Sequence, residues 1–272
     1  MDALDFTPDA PLATYSRWQR WLTTAADVKG WFADNAAALW DGLLAYQAAR
    51  PSVIEGGMLE IGCAYGRAAL MLGMHGRRGE TLYLIDAKAS HARDAAHLVG
   101  SHSESRVQGV GAYSERVSLD FIPSRGIRFM HIDGDHGRWA LHNDLDIAHR
   151  VVGPDGMVVL DDFLAPQFYG VTQGAIEWMT RNPEAFQVVL VGFNKAYLAR
   201  PRAAQRWQAF IRDELPDHLR ACGQPDFTIW RTDEKLACAT FGITQRQFDR
   251  DFVTREFATA RPELRPDGKP EL

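Results

Sequence analysis

The chain has 272 residues, which suits one large α/β domain with additions or two small domains. Thirty basic residues against 35 acidic ones leave a net charge of −5, so nucleic acid is not an expected partner. Three widely spaced cysteines, Cys63, Cys222 and Cys238, exclude a disulfide scaffold and a CxxC zinc site. Since no apolar run reaches the length of a membrane helix and no secretory signal is recognisable, we expect a cytoplasmic enzyme or small-molecule binder with no membrane partner.

Residues 1–50 are predicted to be helical and contain four of the eight tryptophans. Apolar residues between Ala36 and Leu44 recur at helical spacing. Two interpretations are open here. The segment is either an amphipathic helix packed on a core, or a wall or lid over a ligand site.

Residues 51–200 alternate between predicted strands and predicted helices. Short apolar runs predict strands at 58–61, 81–85, 107–110, 127–132 and 157–160. Helical stretches lie at 66–75, 88–99, 137–151 and 171–181. Such alternation is typical of a doubly wound, mostly parallel sheet with helices on both faces.

The sheet is predicted to close with an antiparallel hairpin. Strand candidates at 187–193 and 195–200 are separated by a residue or two, and so short a connection cannot join parallel strands. Residues 201–272, with 12 basic and 12 acidic residues, are predicted to form a helical C-terminal extension. We therefore expect one domain with additions: an N-terminal wall or lid (1–50), an α/β core (51–200) and the extension.

A glycine-rich turn follows the first strand of the core. Gly62 and Gly66 allow a tight turn and a close approach of the backbone to a ligand near a helix N-terminus. The spacing does not match the dinucleotide fingerprint G-x-G-x-x-G, and a turn without a ligand is the open alternative. Asp86 ends the next strand about twenty residues later, where an acid can hold ribose hydroxyls, although such a residue is also a common helix N-cap.

Three further carboxylates follow two later strands. Asp133, Asp161 and Asp162 are expected at neighbouring carboxyl ends of the sheet, where ligands of such folds bind. Their mutual repulsion requires a counter-charge, and Mg²⁺ fits oxygen ligands of this kind. His136 is placed to act as a general base in the same pocket. The alternatives are helix-capping aspartates and a surface histidine.

Five segments carry a resemblance to a known family. They are "EIGCAYGRAAL", "HIDGDH", "GPDGMVVLDDF", "GVTQGAIEWM" and "GFNKAYLAR". Together they resemble the methyltransferase 24 family of class I S-adenosylmethionine-dependent methyltransferases, and they are similar to the macrocin-type sugar O-methyltransferases. The resemblance covers roughly residues 28–200 and implies a Rossmann-like methyltransferase fold with a seven-stranded sheet.

The resemblance also implies roles for particular residues. The cofactor site, for S-adenosylmethionine, would comprise Glu60, Gly62, Cys63, Gly66, Asp86, Ala112, Tyr113, Ser114 and Asp133. The match at Ala112–Ser114, the adenine region, lacks the usual acid before the serine. Asp133, Asp161 and Asp162 fall on metal-ligand positions, and His136 falls on the position of a base. Many members have His-Asp where this chain has Asp161-Asp162.

The expected function is therefore Mg²⁺-dependent methylation of a hydroxyl on a sugar, a glycosylated compound or a phenolic metabolite. Trp31, Phe32 and Trp40, with the loop at 165–170, would cover the site. The alternatives are a metal-independent N- or C-methyltransferase and a non-catalytic protein that keeps the cofactor fold for assembly. Self-association into a homo-oligomer is also an expectation of the resemblance.

Overall fold

The structure, a computed structural model, describes residues 17–51, 53–224, 226–231 and 240–245. These residues form one sheet with helices on both faces. The strands are β1 (Gly57–Ile61), β2 (Thr81–Asp86), β3 (Arg106–Gly111), β4 (Ile127–Ile132), β5 (Val152–Asp161), β6 (Gln187–Gly192), β7 (Lys195–Ala199), β8 (Phe227–Arg231) and β9 (Phe241–Gln245). The helices are α1 (Trp18–Ala25), α2 (Asp34–Ala48), α3 (Arg67–Met74), α4 (Ala89–Gly100), α5 (Arg138–Val151), α6 (Tyr169–Arg181), α7 (Pro201–Asp213) and α8 (Leu215–Ala221).

The strand order is β3-β2-β1-β4-β5-β7-β6-β9-β8. Strands β1 to β5 are parallel, and β7 runs antiparallel to both β5 and β6. The predicted α/β fold, a mostly parallel sheet with an antiparallel hairpin, is confirmed. Strands β2 and β3 extend the sheet on one side of β1, and β4 and β5 extend it on the other side. This reversal of direction creates a crevice at the carboxyl ends of β1 and β4.

The C-terminal extension contains strands as well as the predicted helices. After α7 and α8, β8 and β9 pair with each other, and β9 runs parallel to β6. In β9, Phe241 and Ile243 are buried while Gly242 and Thr244 are partly exposed. This alternation is the period of a strand with one buried face, and the edge of β6 supplies the partner that stabilises it. The seven-stranded core is thereby widened to nine strands within the described residues.

Side chains on the two faces of the sheet pack into separate cores. Phe129 and Val159 point toward α1–α4, α7 and α8, whereas the neighbouring Met130 and Val158 point toward α5 and α6. Because successive residues of a strand face opposite sides, strands buried on both faces are apolar throughout. This explains the continuous apolar runs that predicted the strands.

The β6–β7 hairpin is closed by two residues with positive φ. Phe193 and Asn194 have φ of 52° and 65°, as a type I′ turn requires. The turn fixes the register that places Lys195, the first residue of β7, opposite Asp161, the last residue of β5. Lys195 therefore lies at the carboxyl edge of the parallel strands.

The N-terminal helices are packed on the core. Trp21 and Trp40 are fully buried, and α2 is buried along most of its length. Arg67 of α3 holds the connection between α1 and α2 by donating hydrogen bonds to the carbonyl oxygens of Val28 (3.0 Å) and Phe32 (3.3 Å). Among the described residues, no helix combines the length and apolar character that crossing a membrane requires.

Candidate active site

A cavity of about 1100 Å³ opens at the carboxyl ends of the parallel strands. The ends of β1, β2, β4 and β5 form its floor, and the β6–β7 turn lies at one side. The cavity includes the crevice between β1 and β4, where doubly wound sheets bind their ligands. Its size is typical of a small-molecule site, so it is the candidate active site.

The turn between β1 and α3 approaches β4 very closely. Gly62 has a φ of +87°, and a Cβ atom built there would lie 1.8 Å from the carbonyl oxygen of Asp133. Gly66, which precedes α3, also has a positive φ of +86°. Glycine is suited to such a backbone because a side chain would be both strained and in collision. The turn keeps the cavity floor open beside the start of α3.

Asp86 closes β2 and faces the cavity. Its Oδ2 accepts a hydrogen bond from the backbone N–H of Ala64, and its Oδ1 accepts one from the N–H of Lys88, both at 2.8 Å. His91 Nδ1 lies 3.5 Å from Oδ1. Since each carboxylate oxygen has two lone pairs, Asp86 can still accept hydrogen bonds from ligand hydroxyls. The two backbone donors fix its direction.

The region after β3 forms one end of the cavity. Ala112, Tyr113 and Ser114 all line it, and the Tyr113 side chain is exposed. The Ser114 hydroxyl accepts a hydrogen bond from Asn143 Nδ2 of α5 (3.3 Å). Burial raises the pKa of the neighbouring Asp144 to about 6, against the lowering effect of hydrogen bonds from Ser114 and Asn143.

Four charged side chains form a continuous row across the sheet beneath the cavity, which we call the buried charge row. His131 Nδ1 lies 2.7 Å from Glu60 Oε1, its Nε2 lies 3.4 Å from Asp161 Oδ2, and Lys195 Nζ lies 2.5 Å from the same oxygen. Strand register explains the row, because Glu60 is opposite His131 in β1–β4 and Asp161 is opposite Lys195 in β5–β7. All four residues are buried.

The row is electrically balanced. Burial opposes the charge of His131, but its contacts with Asp161 and Glu60 prevail and raise its pKa to about 9. Burial also opposes the charge of Asp161, yet His131 and Lys195 hold the pKa of that carboxyl below its usual range. Burial raises the pKa of Glu60 despite its hydrogen bond with His131. Lys195 and His131 thus supply counter-charges that the sequence interpretation assigned to a metal ion.

A second group, the cavity cluster, consists of Asp133, His136 and Asp162. His136 Nε2 lies 2.9 Å from Asp162 Oδ2 and 3.8 Å from Asp133 Oδ1, and these contacts raise the pKa of His136. Partial burial raises the pKa of Asp133. The ring of Phe168 stacks on His136 at 3.9 Å, and Asn194 Nδ2 donates to Asp162 Oδ1 at 2.6 Å. The cluster joins three loops at the floor of the cavity.

The donor atoms fit a metal ion at the cavity cluster better than at the three predicted aspartates. One ligand atom each from Asp133, His136 and Asp162 lies within 4.8 Å of the others. Two carboxylates with further water ligands suit Mg²⁺, whereas the imidazole is a less usual ligand for it. Asp161 also lies near Asp133, but its Oδ2 is engaged by Lys195. The structure therefore does not bring the three aspartates together as a free ligand set.

Nine of the predicted site residues line the cavity: Gly62, Asp86, Ala112, Tyr113, Ser114, Asp133, His136, Asp161 and Asp162. Three others, Glu60, Cys63 and Gly66, are not part of the lining. Glu60 belongs to the buried charge row, and burial raises the pKa of the Cys63 thiol. The roles of all these residues remain predictions.

The predicted aromatic cover is only partly at the cavity. Trp31 is fully exposed at the rim and Phe32 is buried, and both line the cavity, as does Phe168 from the loop at 165–170. Trp40 is instead a core residue whose ring packs against His131 at 4.6 Å. The sequence predicts Trp40 as part of the cover because helical spacing does not reveal which turn of α2 faces the cavity.

Lys195 and Asn194 are cavity-lining residues that sequence reasoning missed. The available signal was the hairpin itself. A two-residue turn before Lys195 returns the chain to the carboxyl edge, so a polar residue in or just after that turn faces the site.

Two solved structures have folds similar to that of this protein. The O-methyltransferase NovP is 14% identical, with 61% of this chain and 80% of that chain covered and a TM-score of 0.50. A protein from Corynebacterium glutamicum is 19% identical, with 71% of this chain and 92% of that chain covered and a TM-score of 0.52. No curated protein matches the chain significantly. At these identities the similarity establishes the fold.

The fold and a family match place the protein in one class, the S-adenosylmethionine-dependent methyltransferases. The family model Methyltransf_24, described as a methyltransferase domain, matches residues 59–163. Residues 59–163 therefore match a methyltransferase domain of this family, as the sequence resemblance predicts.

Proposed function

We propose that the protein transfers the methyl group of S-adenosylmethionine to a hydroxyl oxygen of a small molecule. The observation that carries this proposal is the position of His136 between two carboxylates on the floor of a cavity that also contains Asp86. At one end of the cavity, Asp86 offers a carboxylate that can hold the hydroxyls of a nucleoside. At the other end, His136 offers an imidazole that can accept a proton. NovP, whose fold is similar, is an O-methyltransferase, and this supports an oxygen acceptor.

The cofactor end comprises Gly62, Asp86 and the segment Ala112–Ser114. When bound, S-adenosylmethionine supplies a methyl group on a sulfonium centre that is open to attack by an oxygen. The Gly62 turn gives the backbone room beside it, and the two amides that fix Asp86 orient its carboxylate toward the ribose hydroxyls. Glu115, which also lines the cavity, supplies an acid after Ser114, whereas the usual acid of the family precedes the serine.

The acceptor end comprises the cavity cluster. His136 Nε2 accepts the hydroxyl proton, and the carboxylate of Asp162, 2.9 Å away, stabilises the imidazolium that results. The contacts that raise the pKa of His136 increase its strength as a base, which suits proton removal from a weakly acidic hydroxyl. Phe168 stacked on the ring limits its rotation and keeps water from one face.

A magnesium ion is proposed at the cavity cluster, with Asp133 and Asp162 as its carboxylate ligands. When bound, it would lower the pKa of an acceptor hydroxyl. Asn194 holds Asp162 in place by its hydrogen bond, so the ligand oxygen has a fixed direction. An acceptor with two adjacent hydroxyls, as in a sugar or a catechol, would suit such a site.

A metal-independent reaction is the second candidate, and the buried charge row favours it. Lys195 Nζ lies 2.5 Å from Asp161 and also lines the cavity, so the protein already carries a cation at the position where charge neutralisation is needed. In this version His136 and the cavity cluster remove the proton without metal, and Lys195 stabilises the developing negative charge.

The test uses purified full-length protein, methyl-labelled S-adenosylmethionine and a panel of sugars, glycosylated phenols, catechols and amines. We expect label on oxygen in at least one hydroxyl compound, with His136→Gln lowering the rate about 10²–10⁴-fold. His97→Gln, an exposed residue of α4 outside the cavity, serves as the control and should leave the rate unchanged. Label found on amines alone would contradict the proposal.

Chelation separates the two versions of the mechanism. If Mg²⁺ is required, EDTA abolishes the labelling, Mg²⁺ restores it, and Asp162→Asn is inactive. If Lys195 replaces the metal, activity survives EDTA and is lost in Lys195→Met.

A further inference from the structure

A second group of metal-ligating side chains lies in the core, away from the cavity. Asp41 of α2, His75 directly after α3, His218 of α8 and Cys222 directly after α8 meet where α2 packs against α3 and α8. All four are buried, with Asp41 completely so. We call this group the α2–α8 cluster. Its members do not line the cavity.

The local sequence brings two of the ligands onto one helix face. His218 and Cys222 are four residues apart, and the N–H of Cys222 donates to the carbonyl oxygen of His218 at 3.0 Å, as in a continuing helix. Residues at this spacing lie on the same face. Gly42, next to Asp41, allows α2 to come close, because a Cβ there would lie 2.9 Å from the imidazole of His218.

The two oxygens of Asp41 have different environments. Oδ1 accepts hydrogen bonds from the backbone N–H of Arg17 (2.6 Å) and from His75 Nε2 (2.8 Å). Oδ2 faces a different pair of atoms, His218 Nε2 at 3.0 Å and Cys222 Sγ at 4.0 Å.

One oxygen, one nitrogen and one sulfur atom thus form a triangle. Its sides are 3.0 Å (Asp41 Oδ2 to His218 Nε2), 3.4 Å (His218 Nε2 to Cys222 Sγ) and 4.0 Å (Cys222 Sγ to Asp41 Oδ2). Tetrahedral ligands of Zn²⁺ are separated by about 3.3–3.6 Å, given the usual bond lengths to nitrogen, oxygen and sulfur, so an ion requires shifts of about 0.3–0.5 Å in the shortest and longest sides. The three ligand atoms all lie within 4.8 Å of one another.

We infer that Asp41, His218 and Cys222 bind a divalent zinc-like ion that joins α2 to α8. Imidazole and thiolate select such an ion over Mg²⁺ or Ca²⁺. One carboxylate and one thiolate neutralise its two charges, which a buried site requires. His75 acts on the outer oxygen of Asp41, as partners of metal ligands commonly do, and a water molecule completes the tetrahedron.

Binding has a defined proton balance. The thiol of Cys222 releases one proton when it becomes a thiolate ligand. The proton on the imidazole of His218 lies on Nδ1 when Nε2 binds the ion, and Nδ1 has no hydrogen-bond partner among the described residues. Because the thiol must lose its proton, the apparent affinity of the site for the ion rises with pH. The site lies outside the cavity, so its role is to stabilise the fold.

The test is cobalt substitution in the full-length protein, after chelation under reducing conditions. Co²⁺ bound to a thiolate gives a charge-transfer band in the near ultraviolet, and tetrahedral geometry gives intense visible bands. We expect both in the wild type at one equivalent, and their loss in Cys222→Ser and in His218→Gln. Cys63→Ser, which removes the other buried thiol of the described residues, is the matched control and should keep both bands.

Stability gives a second readout. Zinc at 100 times its dissociation constant should raise the Tm of the wild type by about 5–10 °C, and should not do so in Cys222→Ser. A wild type without the charge-transfer band at saturating Co²⁺ would overturn the inference, whatever the variants do. So would a band that persists in Cys222→Ser, since it places the thiolate ligand elsewhere. Magnesium at the cavity cluster gives no thiolate band, so the two sites are tested separately.

Discussion

Lys195 offers the sharpest test of the buried charge row. Its ammonium lies 2.5 Å from Asp161, and both side chains are less than a tenth exposed. Lys195→Met removes the charge but keeps an unbranched apolar chain beside the rings of Phe32 and Trp40, which lie 5.5 and 6.0 Å from Nζ. The variant therefore isolates the ion pair from the packing.

The expected cost follows from the burial of the remaining charge. Removing one partner of a buried ion pair costs about 3–5 kcal/mol because the other charge is left without compensation. His131 still lies 3.4 Å from Asp161, so we expect the lower end, about 3 kcal/mol. For a domain of this size the loss corresponds to a fall in Tm of about 6–12 °C.

Equilibrium unfolding in urea measures this free energy. Lys88→Met, at an exposed lysine, is the control and should change the unfolding free energy by less than about 0.5 kcal/mol. Combining Lys195→Met with Asp161→Asn should restore part of the lost stability, because the uncompensated charge is then also removed. A single variant that costs under about 1 kcal/mol, with additive effects in the double variant, would refute the proposed coupling.

Three further predictions concern residues at the floor of the cavity and in the core beneath it. Gly62→Ala should lower the unfolding free energy by more than the strain of a positive φ alone, which is about 1–2 kcal/mol, because the new Cβ meets Asp133. Gly79→Ala, with a similar φ and open space around it, is the control and should show the strain alone. Equal losses for the two variants in urea unfolding would contradict this reasoning. The pKa of His131 is raised to about 9 in the folded protein, so its charged form contributes about 3 kcal/mol to the unfolding free energy. This contribution is complete below pH 6.5 and is lost as the pH rises through 9. His131→Asn should flatten the dependence of the unfolding free energy on pH in this range, and an unchanged slope would count against the assignment. Trp40→Ala should cost about 3–5 kcal/mol in the same assay, as for a fully buried tryptophan, whereas a loss of cofactor affinity without loss of stability would favour a cover role.

Local sequence patterns located the cavity. Apolar runs that end in Asp86, Asp133 and Asp161 mark strand ends, and parallel strands bring such ends to one edge of the sheet. Gly62 was recognisable for the same reason, because a glycine directly after a strand allows a close turn. These inferences need no knowledge of which strands are neighbours beyond the simplest connection rules.

Contacts between residues that are distant in the sequence could not be predicted, because they depend on which strands are neighbours and in what register. The sequence predicts a cofactor role for Glu60 because it adjoins the glycine turn, and that role stays a prediction. It does not predict the contact with His131, which lies 71 residues away and becomes a neighbour only through β1–β4 register. The sequence predicts Asp161 as a metal ligand, and nothing local indicates that Lys195 lies across from it. Likewise, β9 forms because β6 offers an edge, which amphipathic helical spacing in the extension could not reveal.

The α2–α8 cluster illustrates the same limit. Asp41 and Cys222 are 181 residues apart and share no motif. The i, i+4 spacing of His218 and Cys222 was present in the sequence, but the spacing of two residues on one helix is not sufficient to predict a site.

Calorimetric titration of the full-length protein with S-adenosylmethionine tests the central claim most directly, because it needs no acceptor. We expect saturable binding at one site per chain, weakened about 10–100-fold by Asp86→Ala, which removes a charged hydrogen-bond acceptor for the ribose. Asp94→Ala, at an exposed aspartate of α4, should bind as the wild type does. Absence of binding by the folded wild type, or equal affinity in Asp86→Ala, would contradict the account of the site.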